Sequence, residues 1–230
     1  MPRALGLTRV GIVEDHHLFA EALDVALTLE GHDVHRVPLV EPVSTNQLVS
    51  AVLRVRPRVA LLDLDLGTSA DGARLVEPLV RSGIQVVIVT ASRDESRWGE
   101  CLRHGARVVV SKTAPLNTIL ATIRLIGEGR PVLGHAERER LIATYYRERT
   151  LLHSLRDKLE LLSGREREVL GQLMAGRQVR EIAKRSFVSE ATVRTQVKSI
   201  LSKLEVTSQL AAVGVAHRAR WQPPPLRQAG

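Results

Sequence analysis

The sequence predicts an α/β domain built on a doubly wound, five-stranded parallel sheet, then a helical linker, then an all-α helix-turn-helix domain. Three observations carry this expectation. Through the first 130 of the 230 residues, short β-branched runs alternate with segments of helical period, the pattern of parallel strands joined by crossover helices. Residues 137–162 repeat large side chains at alternating spacings of 4 and 3, a heptad seam. Residues 162–220 hold short helical segments separated by turn residues, and one of them has two distinct faces. The expected divisions are 1–130, 131–161 and 162–220, with a disordered Pro-rich tail at 221–230.

In the first part the strands are expected at Arg9–Val13, Val34–Val37, Val59–Leu64, Gln85–Thr90 and Arg107–Val110. Helices are expected between and after them, at His17–Leu29, Thr45–Val55, Ala73–Arg81, Glu95–His104 and Pro115–Glu128. A sheet of this kind places its site beyond the carboxyl ends of the strands. The sequence puts Glu14 and Asp15, Asp63, Thr90 and Lys112 there. Converging carboxylates repel one another and call for a cation, and hard oxygen donors suit Mg²⁺. A carboxylate can also attack phosphorus and become an acyl phosphate.

In the last part, Ser163-Gly-Arg-Glu166 fits a capping box, followed by Val169, Leu170, Leu173 and Met174 at helical spacing. Gly176 fits the end of that helix. Val179–Arg185 is a second, short helix with Ile182 and Ala183 inward, and the apolar residues of Ser186-Phe187-Val188 are expected to plug the corner. The next helix, opened by Ser189, buries Val193, Val197, Ile200, Leu201 and Leu204 and presents Arg194, Thr195 and Lys198 on another face. Such a helix suits a DNA major groove, with a phosphate at its N-terminus.

Leu162-Ser-Gly-Arg-Glu-Arg-Glu-Val-Leu170, Gly176, Glu181-Ile-Ala183, Phe187-Val-Ser-Glu-Ala-Thr-Val193 and Lys203-Leu204 resemble the LuxR-type DNA-binding domain, over roughly residues 161–213. The resemblance implies that Arg194, Thr195 and Lys198, with Ser189 and Lys203, face DNA. Val179 stands where the family usually has Asn, Gln196 where it usually has His, and Gln209 where it usually has Arg.

The order acidic pair, Asp, Thr, Lys on successive strands, over residues 8–128, resembles the receiver domain of two-component response regulators. Together the two parts look like a NarL/FixJ-type regulator. The resemblance implies that Asp63 is the phosphoacceptor. Glu14, Asp15, Asp63 and the backbone carbonyl of Asp65 would hold Mg²⁺, and Thr90 and Lys112 would contact the phosphoryl group. A sensor histidine kinase and double-stranded DNA are the implied partners. After Asp63 the family commonly has a Met-Pro-Gly turn, whereas this chain runs Asp-Leu-Gly-Thr-Ser-Ala-Asp-Gly72. Strand 5 of the family usually carries an aromatic residue that moves with the Thr, and Val108-Val109-Val110 offers none.

Charge and composition agree with this reading. Residues 1–130 carry 15 basic and 15 acidic side chains, and residues 131–230 carry 18 and 10, so the formal charge of +8 lies wholly in the part with the helix-turn-helix. Such an excess gives salt-sensitive affinity for nucleic acid. Aromatic residues make up 3% of the chain and hydrophobic residues 44%, so aliphatic packing must build both cores. The single cysteine, Cys101, excludes an internal disulfide and suits a reducing cytoplasm. The N-terminal residues lack the apolar region of a signal peptide, and no stretch has the apolar length of a membrane span.

The linker seam is Leu141, Tyr145, Glu148, Leu152, Leu155, Leu159 and Leu162. It either packs on the chain's own domains or forms a coiled coil in a homodimer, to which the last helix, about 208–220, could also contribute. Two further functions stay open. The first part could be a phosphorylation-independent dimerisation or ligand-sensing module for the same DNA-binding domain. Asp63-Leu-Asp65-Leu-Gly-Thr68 also resembles, superficially, the Asp-x-Asp motif of haloacid-dehalogenase-type phosphatases, although the order of the other residues differs from theirs. The expectation is a regulator, not an enzyme.

Overall fold

The structure, a computed structural model, describes residues 8–39, 44–67 and 70–223. Thr68, Ser69 and most of the expected tail lie outside the described residues. The chain forms two compact units, Met1–Tyr146 and Arg147–Gly230.

The first unit holds five parallel strands, β1 (Arg9–Val13), β2 (Asp33–Arg36), β3 (Val59–Leu62), β6 (Gln85–Thr90) and β7 (Val108–Ser111), in the order β2-β1-β3-β6-β7. A two-stranded antiparallel hairpin, β4 (Asp65–Leu66) and β5 (Ala70–Asp71), follows β3. The crossover helices are α1 (His17–Leu29), α2 (Thr45–Val55), α3 (Ala73–Arg81) and α4 (Glu95–Arg103), and α5 (Leu116–Gly127) follows β7.

The inner strands β1, β3 and β6 are buried on both faces and read as nearly continuous apolar runs, whereas edge strand β2, Asp-Val-His-Arg, is half-buried to exposed. Successive residues still alternate between two cores. Ala60 and Leu62 join one with Val86 and Ile88, under Leu48 and Val52 of α2 and Leu75, Val76 and Leu79 of α3. Val59 and Leu61 join the other with Val10, Ile12 and Val87, under Leu23 and Leu27 of α1 and Ile119 and Ile123 of α5. Cys101 is buried in the first of these cores, where burial pushes its thiol up to about 12, so it packs as a small apolar group. Local signals fix the helix ends. Ser44 and Gln47 form a capping box at α2, and Asp94 accepts from the Ser96 and Arg97 amides at the start of α4.

Helix α6 (His135–Glu160) begins in the first unit and continues into the second. Its seam serves the chain's own cores at both ends. Leu141 is buried among the α3 and α4 residues, and Leu159 and Leu162 are buried in the core of the second unit, with Leu155 against it. The polar break Glu148 is paired with Arg218 at 3.1 Å. Leu141, Leu155, Leu159 and Leu162 therefore pack within their own units.

The second unit contains α7 (Gly164–Met174), α8 (Val179–Arg185), α9 (Glu190–Leu204) and α10 (Gln209–Arg218). Val169, Leu170, Ile182, Ala183, Val193, Val197, Ile200, Leu204, Ala212 and Ala216 close its core. Gly176 takes φ +75° just past α7, a left-handed position that glycine adopts without steric cost. One expectation fails here. Phe187 does not plug the corner between α8 and α9. Its φ of 52° turns the side chain outward, leaving it 86% exposed, and half-buried Val188 alone packs inward.

Candidate functional site

The carboxyl ends of β1, β3, β6 and β7 bring the first constellation together. Asp63 directly follows β3, and its amide donates to the Val13 carbonyl at 3.0 Å, extending the β1 pairing by one residue. Lys112 follows β7, and its amide donates to the Thr90 carbonyl at 2.9 Å. The Lys112 ammonium donates to Glu14 Oε1 and to Asp63 Oδ2, both at 2.7 Å. The side chains of Lys112, Glu14 and Asp63 are nearly buried, with exposures of 11%, 3% and 3%. Lys112 also lies 5.2 Å from the centre of the Phe19 ring, an aromatic face that favours a cation.

Charge is incompletely balanced. One ammonium serves two buried carboxylates, and the second oxygen of Asp63, Oδ1, is buried with no hydrogen-bond partner among the described residues. Burial pushes the Glu14 carboxyl above its ordinary range against the opposing pull of Lys112 and the His16 amide. Burial also disfavours the charge on Lys112, but the hydrogen bonds to Asp63 and Glu14 prevail and hold its ammonium above the usual lysine value. Asp15 is also desolvated, yet its hydrogen bond with His16 keeps it below the usual carboxylate range.

Oxygen atoms of Glu14, Asp15 and Asp63 and a ring nitrogen of His16 lie within 4.8 Å of one another. The uncommitted buried oxygen, the hard donors and the residual negative charge fit a divalent cation such as Mg²⁺. Asp65 is not part of this carboxylate cluster. Its side chain turns to Arg97, at 2.8 Å, so only its backbone carbonyl is available for the role the resemblance implies. Thr90 is fully buried, and its hydroxyl oxygen accepts from the Ser92 amide at 3.1 Å.

His16 and Arg97 join this region without having been singled out in the sequence. His16 Nδ1 lies 2.8 Å from Asp15 Oδ1 and its amide donates to Glu14 Oε1 at 2.9 Å. The run Glu14-Asp15-His16-His17 was the available signal. Gly72 is also required: a Cβ there would stand 1.9 Å from the Asp63 carbonyl oxygen. Glycine at 72 is thus set by the approach of the Asp63 carbonyl, and its neighbour Asp71 is held by Arg97 at 3.1 Å.

The second constellation is on α9. Ser189 caps the helix by accepting from the Thr192 amide at 3.1 Å. Arg194, Thr195 and Lys198 are all exposed. Arg194 makes a 3.4 Å contact with Glu190, Thr195 donates to the Ala191 carbonyl at 3.1 Å, and Lys198 has no ion pair among the described residues. Lys203 is placed differently. Its ammonium donates to buried Glu166 at 2.7 Å, and Ser199 donates to the same carboxylate at 2.6 Å. Lys203 thus ties α9 to α7. Gln196 is half-buried, with its Oε1 buried and without a hydrogen-bond partner among the described residues.

Residues 10–124 match the response regulator receiver domain, and residues 160–216 match the bacterial regulatory proteins of the luxR family. The chain is 31% identical over 215 residues to the probable transcriptional regulatory protein NarL of Mycobacterium tuberculosis, covering 92% of this chain and 94% of that one. It is 30% identical over 215 residues to the nitrate/nitrite response regulator protein NarP of Escherichia coli, at 92% and 95% coverage. To the transcriptional regulatory protein LiaR of Bacillus subtilis it is 29% identical over 216 residues, at 92% and 98% coverage.

Proposed function

We propose, from the premise that this chain belongs to the response regulators of two-component systems and carries a receiver domain followed by a LuxR-type DNA-binding domain, that phosphorylation of Asp63 switches its binding to double-stranded DNA. The observation that carries the reading is the Glu14–Lys112–Asp63 arrangement with its one uncommitted buried oxygen. The donor is a phosphohistidine on a sensor kinase. An Asp63 carboxylate oxygen attacks phosphorus, the phosphorus–nitrogen bond breaks, and its electron pair returns to the imidazole, which takes up a proton. Asp63 becomes an acyl phosphate.

Glu14, Asp15, Asp63 and the Asp65 carbonyl would hold Mg²⁺, which when bound neutralises charge on the phosphoryl oxygens. Lys112 moves from sharing two carboxylates to pairing with a phosphoryl oxygen, and the Thr90 hydroxyl donates to another. On α9, Arg194, Thr195 and Lys198 read base edges and phosphates in the major groove, with Ser189 near a phosphate. Lys203 supports that helix through Glu166. A homodimer would read two half-sites, which sharpens selection. A DNA partner and a lone cysteine held as a buried thiol support a cytoplasmic regulator. Among the described residues, no helix is long and apolar enough to cross a membrane.

A second reading, DNA binding without phosphorylation, is favoured by the strand β7 run Val108-Val109-Val110, which lacks a mobile aromatic. One experiment separates the two. Duplexes selected from a randomised pool are bound by the full chain before and after treatment with Mg²⁺ and a small acyl-phosphate donor, beside Asp63→Asn. The switch predicts tighter binding after treatment, by a factor of about 5 or more, and no gain in the variant. Equal affinity in all samples would leave the receiver as a fixed dimerisation or ligand-sensing module.

A further inference from the structure

A response regulator needs a physical link between its phosphoacceptor and the rest of the chain, and β7 does not carry the usual one. Arg97 of α4 makes such a link. It donates from Nη1 to Asp65 Oδ1 at 2.8 Å, and from Nη2 to Asp71 Oδ1 at 3.1 Å and the Leu64 carbonyl at 3.3 Å. Asp65 and Asp71 lie opposite each other in the β4–β5 hairpin, and Leu64 is the residue after Asp63. One planar guanidinium therefore clamps both arms of the phosphoacceptor loop to α4, a task its rigid fork suits. Its burial would disfavour the charge, but the two carboxylates prevail and hold it firmly ionised.

The same helix is fastened on another side to the first turns of α6. Gly99 packs so closely there that a Cβ would stand 2.1 Å from the Leu141 carbonyl oxygen. Arg140 donates to both oxygens of Glu95 at 2.8 Å. Arg138 donates to the Leu102 and Ala106 carbonyls at 2.6 and 3.0 Å. Helix α4 thus stands between the loop that holds Asp63 and the helix that leaves the receiver unit.

We propose that Arg97 is the positioning residue that couples the state of Asp63 to the seating of α4 against α6. A phosphoryl group on Asp63 replaces the single carboxylate charge by the nearly two of a phosphoryl dianion, a net gain of about one negative charge beside Leu64. A cation held in part by the Asp65 carbonyl would fix the backbone of the residue whose side chain Arg97 holds. Both changes act unequally on the three Arg97 acceptors, and only such differential interaction can shift a conformational equilibrium. The inference rests on the phosphorylation of Asp63 proposed above.

The test uses the full-length wild type, Arg97→Ala and Arg97→Lys, each treated with Mg²⁺ and acetyl phosphate and checked by intact mass. Amide hydrogen exchange is then followed across residues 135–146. The wild type is expected to change its exchange there by a factor of about 5 or more on labelling, the lower end of ordinary coupling between sites. Arg97→Ala should label as fully and show almost no change, while Arg97→Lys, with its charge but not its fork, should respond in part. An Arg97→Ala protein that labels and responds like wild type would overturn the coupling role. So would one that folds yet fails to label, since Arg97 would then belong to the transfer site itself. If the wild type gains no mass, the phosphorylation reading fails first, and the coupling role falls with it.

Discussion

Replacing Glu166 by Gln should destabilise the DNA-binding unit at neutral pH, and the loss should vanish in acid. Burial alone would raise the Glu166 carboxyl, but hydrogen bonds from Lys203, Ser199 and the Ser163 amide hold it at about 2, against an ordinary 4.5. A depressed carboxylate stabilises the fold above its unfolded value, and that stability disappears as pH falls from 4.5 towards 2. At about 1.4 kcal/mol per unit the shift is worth roughly 3 kcal/mol. Lys203 is 35% exposed, so solvent screens part of its contribution, and about 2 kcal/mol is the working figure. The chain has two tryptophans, Trp98 in the receiver unit and Trp221 packed on the core of the DNA-binding unit. In a Trp98→Phe background, Trp221 fluorescence reports urea unfolding of the second unit alone. Within that background, the gap in unfolding free energy between the parent and Glu166→Gln should be about 2 kcal/mol at pH 7 and close to zero near pH 2. A gap that stays constant with pH would refute the charge argument and leave only packing.

Three further outcomes follow from the same geometry. Gly72→Ala should displace the Asp63 carbonyl, since its Cβ would stand 1.9 Å away, so both receiver stability and acyl-phosphate labelling should fall, as urea unfolding followed by Trp98 in a Trp221→Phe background and intact mass would show. Lys198→Ala should weaken binding to unrelated duplexes about equally and reduce the salt slope by about 1, whereas Arg194→Ala should cost roughly 1–3 kcal/mol and relax the preference at one position; salt titrations on selected and random duplexes distinguish them. Ser44→Ala, which removes the capping box of α2, should cost about 1 kcal/mol of receiver stability without altering labelling.

Much of the architecture was legible because the signals were local. Alternating β-branched runs and helical periods marked the five sheet strands to within two residues, and Ser163 and Ser189 announced their helices by caps. The strand ends then carried Glu14, Asp15, Asp63, Thr90 and Lys112 to one edge of the sheet. What the sequence concealed is long-range or too short to have a period. The two-residue strands of the β4–β5 hairpin carry no alternation. Arg97 meets Asp65 across 32 positions, and Lys203 meets Glu166 across 37, so neither pair has a spacing signature. Phe187 reads as a corner plug by its hydrophobicity, but its positive φ sends it outward. The seam of α6 has heptad spacing whether its partner is a second chain or the cores beside it, and spacing cannot distinguish the two.

The most direct test of the central claim is the intact mass of the full chain after treatment with Mg²⁺ and a small acyl phosphate, beside Asp63→Asn. Phosphorylation at Asp63 predicts one added phosphoryl group on the wild type and none on the variant. An unchanged wild-type mass under conditions that label an ordinary receiver, or equal labelling of the variant, would contradict it.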